Sequence, residues 1–187
     1  MSTTTRLSGP VRADDHSLGN ALATVTLVEY GDYQCPYCRA AYPLVRELRE
    51  QFGEDMRFVF RNFPLTQWHP LAQLAAQLAE AAATLERFWP MHDWLFENQP
   101  GWSEGGAKIL LRGIAAVELD TTAIEQALLQ PRIAHRIEAD FKSGLRSGVS
   151  GTPTFFVNGQ LHQGAPQALA MVVQRVLDDL PAAAYRP

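Results

Sequence analysis

VTLVEYGDYQCPYCRAAYPLV, residues 25–45, contains both cysteines of the chain, Cys35 and Cys38, and its reading decides the fold. The run from 23 to 30, ATVTLVEY, is rich in β-branched residues and apolar on both faces, as in a central strand covered on both sides. GDYQ has turn character. CPYCRAAYPLVRELREQF, residues 35–52, reads as a helix with Pro36 in its first turn, where no amide hydrogen bond is lost. Pro43 predicts a kink. MRFVFRNF, residues 56–63, is a second strand, and the β–α–β connection makes the two strands parallel.

Two cysteines in 187 residues are not a disulfide scaffold, since a chain of this length buries a core without staples. The pair admits three readings. A zinc site takes about four ligands, yet there is no second cysteine pair, and the histidines at 16, 69, 92, 135 and 162 show no ligand spacing. Two inert core thiols are the bland reading. The third is a pair that opens and closes a disulfide, favoured by the preceding strand, the proline in the first helical turn and the β–α–β context. At a helix N-terminus, free amides and the dipole stabilise a thiolate. Cys35 is therefore the expected nucleophile and Cys38 the resolving thiol.

From Pro64 the pattern turns helical. Leu71, Leu74, Leu78 and Leu85 recur at helical spacing. Further helices are expected over 85–98, 107–117, 121–130 and 131–148, with QPGWSEGG (99–106) as punctuation and Asp120 capping the helix at 121. Strand character returns at TFFV (154–157), and Asn158–Gly159 signals a hairpin into QLHQ. A last helix spans 166–180. The layout is an α/β core interrupted by an all-helical insertion. Its expected limits are a flexible N-terminal segment 1–10, a core of 11–64 and 150–180, an insertion 65–149 and a tail 181–187. Asp14, Asp15 and His16 read as a solvated turn, and the four tryptophans as packing. Trp68 and His69 stand apart because they follow the second strand, where FPLTQW (63–68) offers an apolar lip for unfolded polypeptide.

The net charge of −4 gives no basic footprint for nucleic acid and no polybasic patch for lipid. The N-terminus lacks the apolar run of a signal peptide. No window reaches the ~20 apolar residues of a membrane span. The expected location is the cytoplasm, or the periplasm if a leader has been removed.

EYGDYQCPYC (29–38), the helical block and GTPTFFVNG (151–159) together resemble the DsbA-like thiol–disulfide oxidoreductases of the thioredoxin superfamily, over about residues 11–178. The resemblance implies a thioredoxin-like fold, a central mixed sheet flanked by helices. It implies that Cys35 and Cys38 are the catalytic pair, and that Pro153 is a cis proline against them. Thr152, before it, would offer backbone hydrogen bonds to an extended substrate. Glu29 matches a buried acidic residue that relays a proton to Cys38; a surface carboxylate at a strand end is the alternative. Pro36–Tyr37, the dipeptide between the cysteines, departs from the histidine-containing dipeptide of the best-known DsbA. Tyr37 adds no positive charge, so the thiolate is less stabilised. The same dipeptide occurs in glutaredoxins, poised at about −200 to −230 mV against about −120 mV for DsbA, so a potential between them is expected.

The implied function is disulfide exchange with polypeptides, as reductase, isomerase or weak oxidase. No cofactor is expected beyond the redox-active disulfide, with glutathione a candidate co-substrate or redox partner. The chain is expected to act as a monomer. Alternatives are a glutathione-linked reductase or transferase of small molecules, and a non-catalytic holdase or adaptor.

Overall fold

A computed structural model describes residues 5–179. The expected tail 181–187 and the last residue of the expected final helix lie outside the described residues.

In chain order the elements are β1 (His16–Leu18), β2 (Val25–Gly31), α1 (Pro36–Phe52), β3 (Met56–Asn62) and α2 (Ala72–Ala83). Next come α3 (Phe88–Glu97), α4 (Gln99–Gly105), α5 (Ala107–Leu110), α6 (Arg112–Ala116), α7 (Thr121–Leu128) and α8 (Pro131–Arg146). The chain returns to β4 (Thr154–Val157) and β5 (Gln160–Leu161), and α9 (Leu169–Asp178) follows. The strands form one mixed sheet in the order β1-β3-β2-β4-β5. β2 is central, parallel to β3 and antiparallel to β4. The fold is thioredoxin-like, with helices on both faces of the sheet.

Side chains alternate across each strand, so β2 serves two cores. Val25 and Leu27 join Phe58, Phe60, Phe155 and the two cysteines in the larger apolar cluster, which also takes in α2 and α3. Val28 and Tyr30 face the other way, into a smaller cluster with Val59, Phe63, Val149 and Phe156. Both faces of β2 and β3 are covered, so six of the seven residues in each strand are buried, polar ones included. Asn158 and Gly159 adopt φ of +46° and +77°, turning the β4–β5 hairpin as their sequence demands. The Asp120 side chain accepts the Ala123 N–H and caps α7.

Several sequence expectations fail for physical reasons. β1 has too few residues for a periodic signal and is a strand because His16–Leu18 pair with Phe58–Phe60. The stretch read as punctuation is α4. Its poor helix propensity is overridden by Trp102, which is fully buried and donates from Nε1 to Leu95 O at 2.8 Å. The helix expected over 107–117 is broken at Leu111. Residues 5–10, expected to be flexible, run along β5: Leu7 N donates to Gly159 O and Leu161 N to Thr5 O.

The expected solvated turn at 14–16 is solvated only at Asp14. Asp15 is buried, with Arg61 at 2.7 Å and Arg136 at 3.2 Å. His16 stacks on Phe88 and bonds the Glu80 carboxylate at 3.0 Å. A buried carboxylate persists where cations and N–H groups replace its water, and Arg61 and Arg136 lie far along the chain.

Candidate active site

Cys35 is the N-cap of α1 and Pro36 its first residue. The first turn contains no acidic side chain to repel an anion. Both thiols are free and buried. Cys35 Sγ lies 3.2 Å from the Thr152 carbonyl oxygen, and the Thr152–Pro153 bond is cis. The loop leading into β4 and the start of α1 thus face each other across the sulfur.

The two thiols differ sharply. The Cys38 thiol donates to Cys35 and holds it down to about 6, against the cost of burial. The Thr152 side chain and the Cys38 and Tyr37 N–H groups act in the same direction as the Cys38 thiol. Cys38 is pushed well above its ordinary value by burial, by its bond to Cys35 and by the charge of Glu29. The Asp32 N–H, 3.4 Å from Cys38 Sγ, opposes that rise.

Glu29 sits mid-sheet, paired in register with Phe60 on one side and Phe155 on the other. It is buried, and burial followed by the charge of Cys35 raises it to about 8. Of the two sequence readings the structure takes the buried one. Gly31 is required beside it, because a Cβ there would collide with the Phe60 ring and press on Glu29 Oε1.

The turn joining β2 to α1 is held from three sides. Asp32 Oδ1 accepts the Gln34 N–H at 2.7 Å. Asp32 Oδ2 accepts from Leu65 N at 2.9 Å and His69 Nδ1 at 2.7 Å. Gln99, from α4, donates from Nε2 to Tyr33 O at 2.7 Å and Cys35 O at 2.9 Å. Sequence reasoning missed Gln99, which lies in a stretch with loop composition. It also passed over Asp32, although an aspartate two residues before a donor in a tight turn is a readable signal.

Tyr37, between the two cysteines, is 74% exposed, and Trp68, after β3, is 71% exposed. An open groove of about 370 Å³ borders the site, lined by Tyr37, Ala41, Leu44, Thr152, Pro153 and Pro166. All the residues expected at the site except Glu29, which lies beneath it in the sheet, are at α1's N-terminus or the loop facing it. The arrangement can carry thiol–disulfide exchange: an anionic sulfur at a helix start, and a second thiol one turn behind it.

A family model described as Thioredoxin matches residues 12–178. The chain belongs to the thioredoxin family. Within that family its fold is of the DsbA-like thiol–disulfide oxidoreductase type: DsbA2 of Pseudomonas aeruginosa is 25% identical with a TM-score of 0.72, covering 92% of this chain and 99% of that one. A thioredoxin-like oxidoreductase from Silicibacter pomeroyi is 27% identical with a TM-score of 0.76, covering 90% of this chain and 95% of that one. Oxidised BdbD from Bacillus subtilis shares the fold at 23% identity, with a TM-score of 0.79 over 94% of this chain and 97% of that one. Among curated proteins, Na(+)/H(+) antiporter NhaA 3 of Salinispora tropica is 44% identical over 95% of this chain and 27% of its own length. The thioredoxin-family chain thus spans about a quarter of the curated relatives it matches. Among its described residues no helix is long and apolar enough to cross a membrane.

Proposed function

We propose that this chain exchanges disulfides with polypeptide substrates through Cys35 and Cys38, as a reductase, isomerase or weak oxidase. The observation that carries this is the asymmetry of the two thiols: Cys35 held down to about 6 and Cys38 well above its ordinary value. In the reducing direction the Cys35 thiolate attacks a substrate disulfide and releases one thiolate, leaving a mixed disulfide. Cys38 then attacks Cys35 Sγ, giving its proton to Glu29, and the second substrate thiolate departs. Glu29 suits that exchange, since a value of about 8 lets it both take and return a proton near neutrality. The groove beside Thr152 and Pro153 suits an extended peptide, with Tyr37 as an apolar rim.

The poise of Cys35 supports an intermediate potential. A value of about 6 lies between about 7 for thioredoxin and about 3.5 for DsbA. In a reducing cytoplasm the pair rests as the dithiol, with glutathione or a dedicated protein returning it to that state.

Insulin reduction by purified protein tests the reading. Cys35→Ser is expected to abolish it, and alkylation of the wild type by iodoacetamide is expected to titrate with a midpoint near pH 6. Turnover surviving in Cys35→Ser would discard the dithiol mechanism in favour of a holdase or a small-molecule transferase. An equilibrium potential against glutathione near −120 mV, about that of DsbA, would discard the intermediate poise.

The curated relatives favour a second reading on partners. Their names are those of Na(+)/H(+) antiporters. The chain would then serve as a redox module acting with such a transporter. Sodium–proton exchange in vesicles carrying both would respond to thiol oxidants with wild-type chain and lose that response with Cys35→Ser.

A further inference from the structure

One cluster beside the dithiol is not used by the exchange chemistry described so far. Asp32 is fully buried, directly after β2, and its two oxygens do different work. Oδ1 closes the turn by accepting Gln34 N–H. Oδ2 reaches the chain after β3, accepting from Leu65 N and from the His69 ring. The same chain segment is stitched a second time, by Leu71 N donating to Gln34 Oε1 at 2.7 Å. The backbone N–H of Asp32 points the other way, at Cys38 Sγ.

This N–H matters because Cys38 is otherwise a poor nucleophile. Burial, Cys35 and Glu29 all work against its thiolate, whereas the Asp32 N–H favours it. In the mixed disulfide, Cys38 must lose its proton before it can attack. Its sulfur forms a bond to Cys35 Sγ as the Cys35–substrate S–S bond breaks. The electron pair leaves on the substrate sulfur, which takes up the proton that Cys38 gave away. Substrate is reduced by two electrons and the Cys35–Cys38 pair is oxidised by two. A hydrogen bond to the anionic sulfur during that step is of the charge-assisted kind.

We propose that His69 is a positioning residue for this resolving step: by pinning the Asp32 carboxylate it keeps the Asp32 N–H aimed at Cys38 Sγ. The inference rests on the dithiol reading proposed above. It assigns to the segment after β3 a role in the second half-reaction, separate from any contact Trp68 makes with substrate. Without the His69 ring, Oδ2 keeps only Leu65 N, and a buried carboxylate short of a donor turns to find another. The turn carrying the Asp32 N–H moves with it.

The test separates the two half-reactions in the full chain. Attack is timed as mixed-disulfide formation with a disulfide-linked fluorogenic peptide, in a Cys38→Ala background. Resolution is timed as peptide release with Cys38 present. His69→Leu is expected to slow resolution about tenfold, about 1.4 kcal/mol of barrier, and to leave attack within about twofold. His69→Asn, whose amide donates from near the position of the imidazole Nδ1, is expected to restore resolution. The proposal is overturned if His69→Leu resolves at the wild-type rate. It is equally overturned if attack and resolution fall together, or if folded His69→Asn, checked by its melting temperature, stays as slow as His69→Leu. Failure of the wild type to form any mixed disulfide would strike the dithiol reading itself, an outcome distinct from these.

Discussion

On the face of the sheet that carries the dithiol, Glu29 is buried with no ion pair to it among the described residues. On the opposite face, Asp15 is buried between Arg61 and Arg136. Burial alone would raise both. Glu29 is indeed raised, to about 8, whereas Arg61 first, then Arg12, hold Asp15 below its ordinary value. Two buried carboxylates, one within the sheet and one packed against its other face, therefore have opposite properties, set by the charges that surround them. One face leaves a proton exchangeable near neutrality; the other has its charges tied up in bonds that fasten β1, β3 and α8.

The largest effect expected from breaking this contrast comes from Glu29→Gln. The folded value of Glu29 lies above its ordinary 4.5, so the folded state holds a proton that the unfolded chain gives up. Wild-type stability therefore falls as pH rises from about 4.5 to about 8, and the penalty is constant above that. Glu29→Gln is expected to flatten this slope and to exceed the wild type above pH 8 by up to about 4 kcal/mol, measured by urea unfolding across pH. On the proposed relay from Cys38 to Glu29, resolution of the mixed disulfide is expected to slow about a hundredfold. A variant with unchanged pH slope would remove Glu29 from the relay.

Arg61→Met probes the other face. It leaves Asp15 buried with Arg136 and Arg12 as its remaining cations, and is expected to cost about 3 kcal/mol of stability in urea unfolding at pH 7. The sign is opposite to that of Glu29: Asp15, lowered in the folded state, contributes stability above its ordinary 3.8 that is lost as pH falls. Asp15→Asn in the same chain is expected to recover part of the loss. Cys35 should still alkylate with a midpoint near pH 6. A shifted midpoint would mean that the two faces are coupled, and the contrast would fail.

What the sequence made legible divides along the same line. The dithiol site was readable because its signals are local: Pro36 after Cys35, a β-branched run before it, Asn158–Gly159 in a hairpin. Thr152 and Pro153 were reachable only through the resemblance, since nothing in the spacing places 152 against 35. Glu29 was ambiguous because burial of a strand residue depends on register and on which elements cover its face. The Asp15 network was misread because two of its three cations stand 46 and 121 residues away, and the third, Arg12, reads in sequence as an ordinary charge in a polar turn. β1 and α4 were missed for a related reason: pairing with β3 and burial of Trp102, not composition, make them regular. Gln99 was invisible for the same cause as α4.

Gln99→Leu gives the smallest effect and the finest division within the dithiol face. The amide reaches the carbonyls of Tyr33 and Cys35, so it steadies the nucleophile's own peptide unit, whereas Asp32 and His69 bear on Cys38. The Cys35 carbonyl keeps the Arg39 N–H as a donor, but Tyr33 O would be left short of one. The expected cost is about 1 kcal/mol of stability, with the Cys35 alkylation midpoint rising by less than about one pH unit as the start of α1 loosens. Attack on a substrate disulfide at pH 6 should slow while resolution keeps its rate, the reverse of the pattern expected of His69→Leu. If both variants slow the same step, the turn moves as one body and the separate roles given to its two anchors collapse into one.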